Sequence, residues 1–246
     1  DKEAYRLQWR TKNNRNRDDL SQIVQLNEAF RLGGTIPDDQ WNDELNKVMD
    51  VDQWLRVMAM TRLAGVGDYY SQSPWNHNYL VYPRPDTKQL VMLPWDLDIA
   101  FSNSAALVGT GDHPVMRKIV QIPENRRRIY GHYDNLIDTG YNSTYVNAWS
   151  SHLNTMFTGT SFSGAASYIS GRAASVKSQL PAEVPFQTTT IGPLNVDSDD
   201  TATIQGKGWV NVREIRLADT IFPLDIDWSA GEGVNYAETW ETSLSL

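Results

Sequence analysis

The chain has 246 residues, of which 40% are hydrophobic, enough for one large domain or for a medium domain with a small one. Its formal net charge of −8 argues against electrostatic binding of nucleic acid or of an anionic membrane surface. Because the sequence contains no cysteine, it excludes disulfides, thiolate metal sites and cysteine nucleophiles. No run reaches the roughly 18 to 20 apolar residues of a membrane-spanning helix, so no membrane span is predicted.

Helical periodicity dominates the first part of the chain. The apolar spacing after Asp18 or Asp19 predicts an amphipathic helix that ends at Gly33. A second helix is expected after Pro37. A third ends at Gly65, because glycine suits the left-handed residue that follows many helices.

The centre of the chain has the alternating pattern of strands. Residues 78–82 and 89–93 are rich in β-branched and aromatic side chains and flank a turn that contains proline. These two runs are expected to pair as a β-hairpin. Helical spacing then resumes, with three helices predicted to begin near Pro123, Ser143 and Ser161.

The composition changes again after the last of these helices. A Pro- and Thr-rich stretch leads into a segment with ten acidic and three basic residues from Gln187 onward, which carries nearly all of the net charge. Short alternating runs there predict a small all-β, sandwich-like module, with strands at 202–207, at 212–218 and around the late tryptophans. We therefore predict two domains, 1–184 and 185–246.

Common catalytic and nucleotide-binding motifs are absent from the sequence. It has no P-loop, no G-x-G-x-x-G fingerprint, no H-E-x-x-H pair and no G-x-S-x-G nucleophile elbow. The acidic cluster 197–200 lacks the spacing of an EF-hand and is interpreted as a solvated loop. P-loop, Rossmann, zinc-hydrolase and α/β-hydrolase functions are therefore disfavoured.

Two aspartates directly follow the second predicted strand. In an extended chain Asp96 and Asp98 would face one side, while Leu97 would face the other side and anchor in the core. Paired carboxylate oxygens of this kind suit Mg²⁺ or Mn²⁺. The spacing therefore predicts a metal site at the end of the hairpin.

Further polar residues stand at the other end of the hairpin sequence. Asn76, His77 and Asn78 begin the first strand, and antiparallel pairing brings that end close to Asp96. Asp68 lies on the loop that enters the hairpin. A loop aspartate beside metal-binding oxygens is the arrangement that phosphoryl transfer needs.

Each of these residues also has a purely structural interpretation. Asp68 could be a turn residue, and the Asp-Leu-Asp run could cap a following helix. Trp75 and Trp95 are either core aromatics or rings that stack on a nucleotide base. His77 is either a structural hydrogen-bonding residue or a contact to phosphate. The pattern alone leaves these alternatives open.

Two motifs together resemble a known family. Asp68 is followed after eight residues by His-Asn-Tyr at 77–79, and the hairpin is followed by Leu-Pro-Trp-Asp-Leu-Asp-x-Ala-Phe at 93–101. This pattern resembles the signature of the spore-coat protein H (CotH) kinase family, over about residues 5–180. Members of that family are secreted, atypical protein kinases that use ATP and a divalent metal to phosphorylate serine. The resemblance implies an α+β fold: a mainly helical atypical-kinase C-lobe with a central β-hairpin, followed here by the small all-β domain.

The resemblance also implies roles for individual residues. Asp68 matches the catalytic aspartate of the family, and Asp96 matches its metal-binding aspartate. Asn78 is expected to be a second metal or phosphate ligand, and Asp98 a further metal ligand. His77, Asn78 and Trp95 are the residues expected on the nucleotide side of the site. One departure is a serine, residue 102, where many relatives have glycine, which bears on the flexibility of the following loop.

The leading hypothesis is a secreted or cell-surface protein kinase that transfers phosphate from ATP to serine of a protein substrate with Mg²⁺ or Mn²⁺. Because the family's N-lobe, with its phosphate-contacting lysine, should precede this region, the chain is expected to be a fragment with weak or no activity alone. The alternative is a non-catalytic adhesion or matrix protein that binds a surface partner through its acidic β domain. A weaker third reading is a metal-dependent phosphodiesterase or nuclease that uses Asp96 and Asp98, although the acidic balance disfavours polyanionic substrates.

Overall fold

The computed structural model describes residues 2–13, 15–70, 77–102, 113–159, 161–192, 201–231 and 233–245. Within these ranges the chain forms eight α-helices and two antiparallel sheets, so it is an α+β protein, as the sequence predicted. Of the helices described, none has the length and apolar character needed to cross a membrane.

The elements follow one another along the chain in three groups. The first group is helical: α1 (Lys2–Gln8), α2 (Ser21–Arg31), α3 (Asp38–Val48) and α4 (Val51–Leu63). The second is a hairpin followed by helices: β1 (Tyr79–Pro83), β2 (Leu90–Pro94), α5 (Pro114–Gln121), α6 (Pro123–Thr139), α7 (Ser143–Met156) and α8 (Ser163–Lys177). The third is a set of strands: β3 (Gln187–Thr188), β4 (Thr201–Lys207), β5 (Asp227–Ala230) and β6 (Ala237–Ser245).

Polar side chains and one glycine mark several of the helix ends. Asp19 accepts a hydrogen bond from the Ser21 backbone N–H at 3.0 Å, but the N-cap position of α2 is Leu20, so the prediction that Asp18 or Asp19 caps this helix is wrong. Asp50 caps α4 by accepting from the Gln53 N–H at 3.0 Å. Gly65, just beyond α4, has φ of +63°, the left-handed conformation predicted for it.

The core of the helical part is built around α4, which is buried on most of its sides. Its Trp54 indole N–H donates to the Leu90 carbonyl of β2 at 2.8 Å. The Gln53 side chain donates to the Met92 carbonyl at 2.7 Å and accepts from the Met92 N–H at 2.9 Å. These bonds satisfy backbone groups on the free edge of β2 and fix the hairpin to α4.

The predicted hairpin is present, with both strands one residue later than the sequence indicated. Tyr79 pairs with Pro94 at the open end, and Pro83 pairs with Leu90 at the turn. The helices predicted near residues 123, 143 and 161 are also present as α6, α7 and α8. The short helix α5, which buries Met116 on one face, was not predicted.

The last part of the chain forms one four-stranded antiparallel sheet in the order β3-β4-β6-β5. The strand predicted at 212–218 is wrong, because that stretch is irregular. The acidic cluster 197–200 lies outside the described residues. The proposed division after residue 184 falls between α8 and β3 and stays a prediction.

The four-stranded sheet packs against α6 through a buried arginine. The Arg127 guanidinium donates to the carbonyls of Gly208, Trp209, Val212 and Ala237 at 2.6 to 2.9 Å. Its Cζ atom lies 3.3 Å from the centre of the Trp228 ring. One turn along α6, a Cβ added at Gly131 would lie 2.5 Å from the Val210 carbonyl oxygen, so α6 and the sheet segment approach closely.

Candidate functional site

The predicted catalytic aspartate lies on the tight loop after α4. The Val66 N–H donates to the Thr61 carbonyl at 3.1 Å, which turns the chain away from the helix axis. Tyr69 and Tyr70, the next two side chains after Asp68, are buried in the core. They fix the backbone, while the Asp68 side chain stays 35% exposed at the edge of the core. This placement gives Asp68 a defined position and leaves part of its side chain, though not Oδ1, in contact with solvent.

The structure brings Asp68, on the loop that leads to the hairpin, together with Asn78 at the start of its first strand. The Asn78 side-chain amide donates to Asp68 Oδ2 at 2.8 Å. The Asn78 backbone carbonyl accepts from the Trp95 N–H at 3.2 Å, just beyond the last strand pair. Asn78 itself has φ of +62°, a left-handed conformation that asparagine tolerates better than most residues. One residue therefore links the loop of Asp68 to the segment that carries Asp96.

The second carboxylate oxygen of Asp68 has no hydrogen-bond partner within the described part of the chain. Asp68 Oδ1 is buried and makes no hydrogen bond to the residues that the structure describes. A buried, unsatisfied carboxylate oxygen is costly, and such atoms mark sites where a ligand, a substrate or an ion completes the bonding. Since Asn78 occupies Oδ2, Oδ1 is the oxygen that remains to accept a proton or a cation.

His77 lies beside this carboxylate but does not form a hydrogen bond with it. Its Nε2 is 3.9 Å from Asp68 Oδ2, which is too long for a hydrogen bond and within reach of an ion pair when the ring is protonated. Its side chain is 48% exposed. The structure therefore places His77 at the rim of the site, where its role as a nucleotide contact stays a prediction.

The backbone after β2 is not the extended chain that the sequence analysis assumed. The strand ends at Pro94, Asp96 has φ of +57°, and residues 98–101 form a turn. The strand alternation from which Asp96 and Asp98 were placed on one side therefore does not apply to this segment. The physical reason is that the segment turns back toward α4, where the Phe101 N–H donates to the Ala64 carbonyl at 2.5 Å.

Exposure along this segment settles two of the structural interpretations. Trp95 is 57% exposed, so the interpretation of Trp95 as a core aromatic is wrong. Leu97 is 37% exposed and does not anchor in the core as expected. Asp96 and Asp98 are also exposed. Trp75 and Asn76 lie outside the described residues.

The residues present fit Mg²⁺ or Mn²⁺ only as a partial coordination shell. Among the described residues, no three or more His, Asp or Glu side chains converge on one point. Mg²⁺ is commonly held by one or two carboxylates together with substrate phosphates, so a partial protein shell suits it when a nucleotide is bound. Because the Asn78 amide nitrogen faces Asp68, its side-chain oxygen is turned away and is available as a ligand. The assignment of Asp96, Asn78 and Asp98 as metal ligands stays a prediction.

Sequence reasoning missed two buried arginines at the C-terminal end of α4. Arg62 on α4 and Arg172 on α8 are 2% and 4% exposed, and Arg172 donates to the Arg62 carbonyl at 3.2 Å. Burial lowers the pKa of Arg62, and the nearby charge of Arg172 acts in the same direction. In the sequence, each of them could have been recognised as a charged residue on an otherwise apolar helix face. They place positive charge close to the loop that leads to Asp68.

A ring pair beside the site was also missed. His113, at the start of α5, stacks on Tyr70 with ring centres 4.6 Å apart. Its Nδ1 is buried and makes no hydrogen bond to the residues described, and burial lowers its pKa. The folded state therefore favours the neutral ring.

The helical body with its central hairpin, and the loop aspartate held beside the hairpin, agree with what the sequence resemblance implied. Residues 1–188 match the family model described as CotH kinase protein, which covers the helical part, the hairpin and β3. The chain therefore belongs to the CotH kinase family, and the resemblance seen in the sequence is confirmed. A search of curated proteins found no match to the chain.

Proposed function

We propose that this chain carries the phosphoryl-transfer site of a secreted or cell-surface protein kinase. It would transfer the γ-phosphate of ATP to serine of a secreted or surface protein, with Mg²⁺ or Mn²⁺ as cofactor. The observation that carries this proposal is the Asp68 carboxylate, which Asn78 holds through one oxygen and whose other oxygen has no partner among the residues that the structure describes. Membership of the CotH kinase family supports the reaction class.

Asp68 acts as the base in the proposed reaction. Its Oδ1 accepts a hydrogen bond from the serine hydroxyl and takes the proton as the serine oxygen bonds to the γ-phosphorus. The bond from that phosphorus to the β–γ bridging oxygen breaks, and ADP leaves with the electron pair. The hydrogen bond from Asn78 fixes the carboxylate plane, so that Oδ1 keeps one orientation toward the acceptor.

Residues around Asp68 would bind and orient the nucleotide. A bound Mg²⁺ or Mn²⁺ would neutralise charge on the phosphate oxygens, with Asp96, Asp98 and the Asn78 side-chain oxygen as its protein ligands. The exposed Trp95 ring would stack on the base, and His77, at the rim of the site, would contact phosphate. Arg62 and Arg172 add positive potential at the C-terminal end of α4.

The proposal is tested with variants that separate catalysis from binding. Phosphate transfer from labelled ATP is measured in the natural polypeptide that contains this chain, and metal–nucleotide binding is measured by thermal shift. Asp68→Asn is expected to lower transfer by at least ~100-fold and to leave binding intact, because general-base catalysis contributes about that much. Asp96→Ala is expected to abolish the shift, which at ~100 times the dissociation constant is worth about 2.7 kcal/mol in the wild type.

The matched control is Asp39→Asn, an exposed aspartate in the first turn of α3. It removes the same charge far along the chain from the site, and neither transfer nor binding should change. Equal phosphate transfer by the wild type and by Asp68→Asn would refute the proposed base.

A non-catalytic binding function is the second candidate. The loop 217–224 of the β module exposes Ile221 and Phe222, each by 75%, which is unusual for large apolar side chains. If this function is correct, Mg-ATP and Mn-ATP produce no thermal shift, and a protein partner binds the wild type but not an Ile221→Ser and Phe222→Ser double variant.

A further inference from the structure

Helix α7 is exposed to an unusual degree for a helix without charged residues. Ser150 is its only buried residue, and that residue donates to the Phe162 carbonyl on the side of α8. Tyr145, Trp149 and Met156 are 51%, 52% and 61% exposed. The helix packs its other side against α8, so these three large side chains form a separate, solvent-exposed apolar surface of the kind that marks a contact site.

The exposed residues form one stripe along the helix. Tyr145, Trp149, His152 and Met156 are separated by four, three and four positions, which places them on a single face. Within the stripe the Tyr145 and Trp149 ring centres are 6.4 Å apart, and those of Trp149 and His152 are 6.1 Å apart. This is the spacing of the a and d positions in helices that pack along one another. We refer to these four residues as the α7 stripe.

The sequence segment that contains the α7 stripe carries no formal charge. No Asp, Glu, Lys or Arg occurs between Asp138 and Arg172, although 21% of the whole chain is charged. Two copies of a chain with net charge −8 repel each other over most orientations. When two copies meet at a charge-free face, this repulsion is smallest. The burial of apolar side chains then determines whether the copies associate.

We propose that the α7 stripe is a self-association surface, on which two copies of the chain pair their α7 helices in antiparallel orientation about a twofold axis. The spacing of four, three and four reads the same in both directions, so the stripe is complementary to itself when reversed. This register sets Tyr145 against the partner's Met156 and Trp149 against the partner's His152. Contacts between methionine sulfur and aromatic rings are favourable, and the ring pair repeats a contact already present within one chain.

The size of the α7 stripe predicts a weak dimer. Four side chains that are about half exposed offer on the order of 100 Å² each, given that a large aromatic buries about 150 to 250 Å² in full. Their sum is about half of the roughly 800 Å² that each partner contributes to a standard interface. Association is therefore expected at chain concentrations on the order of 100 µM. The proposal does not depend on the phosphoryl-transfer function.

Sedimentation equilibrium of the whole chain tests the proposal, over concentrations from about 5 µM to about 500 µM. The average mass of the wild type is expected to rise from that of one chain toward that of two. Trp149→Glu should remain monomeric, because it buries a carboxylate in the centre of the stripe. Asn147→Glu adds the same charge to the opposite side of α7 and should associate like the wild type. A monomeric wild type at every concentration, or equal association by both variants, overturns the proposal.

The register is tested by cross-linking, which is clean because the chain has no cysteine of its own. Tyr145→Cys and Met156→Cys chains are oxidised separately and as a mixture. Antiparallel pairing predicts that the mixed disulfide forms at least ~10 times faster than either homodimer, because equal positions then lie about 16 Å apart along the helices. Faster cross-linking of Tyr145→Cys to itself overturns the antiparallel arrangement.

Discussion

Arg127 is expected to hold the β module against the helical body, and Arg127→Met tests this most directly. Its guanidinium donates to four carbonyl groups between Gly208 and Ala237 and covers the Trp228 ring. Methionine fills much of the same volume but donates no hydrogen bond, so the substitution removes the bonds without opening a large cavity.

The expected loss follows from three terms. Four hydrogen bonds from a charged donor contribute about 1.5 kcal/mol each, and the contact with the ring contributes about 1 kcal/mol. Burial opposes them: it lowers the pKa of Arg127 to about 10, which costs about 3 kcal/mol at roughly 1.4 kcal/mol for each tenfold change in proton affinity. We therefore expect Arg127→Met to lower the free energy of unfolding by about 4 kcal/mol, which is large for a single substitution.

Urea unfolding followed by tryptophan fluorescence measures this loss, since Trp209, Trp228 and Trp240 all lie in the β module. The matched control is Arg128→Met on the same helix, whose guanidinium pairs with Glu124 near the surface. Such a pair contributes at most about 0.5 kcal/mol. A loss below about 1 kcal/mol for Arg127→Met, or a loss equal to that of Arg128→Met, would contradict the structural role of Arg127.

Two further predictions concern packing and pH. Gly131→Ala is expected to destabilise the fold by about 2 kcal/mol in urea unfolding, because its Cβ would lie 2.5 Å from the Val210 carbonyl oxygen; Gly140→Ala, with open space around its Cβ, should change stability by less than ~1 kcal/mol. Burial lowers the pKa of His113 in the folded state. Its contribution to the free energy of unfolding is therefore fully present above the ordinary histidine pKa of about 6.5, and it is lost as the pH falls through that value toward the lower folded pKa. His113→Phe keeps the stack on Tyr70 and should flatten the part of the melting-temperature profile between about pH 7 and pH 5; parallel profiles for both proteins would contradict this assignment.

Most regular elements could be predicted from the sequence because their signals are local. The helix after Pro37 and the hairpin of β1 and β2 follow from spacing and turn residues alone. The nearness of Asn78 to the segment that carries Asp96 could also be anticipated, since antiparallel pairing fixes which strand ends lie together. The bond from Asn78 to Asp68 does not follow from that pairing, because Asp68 lies on neither strand. Local pattern therefore located the two halves of the candidate site.

The conformation of the segment after β2 could not be predicted, because its cause is distant in sequence. The left-handed backbone at Asp96 accompanies a turn that ends with the Phe101 bond to Ala64. No pattern within 93–101 encodes that contact. The strand predicted at 212–218 fails for a related reason: carbonyls around Val212 are satisfied by Arg127 instead of by a neighbouring strand.

The bonds between α4 and the hairpin have a consequence for how the candidate site responds to strain. The helix holds β2 through Gln53 and Trp54, and its C-terminal end leads into the loop of Asp68 and receives the segment of Asp96 through Ala64. The proposed base and the proposed metal ligand are thus both positioned by the single helix α4, and not by two elements that could move independently. A shift of α4 would move both groups together and leave the distance between them nearly constant. The relative geometry of the base and the metal ligand should therefore tolerate substitutions elsewhere in the helical body better than substitutions within α4 itself.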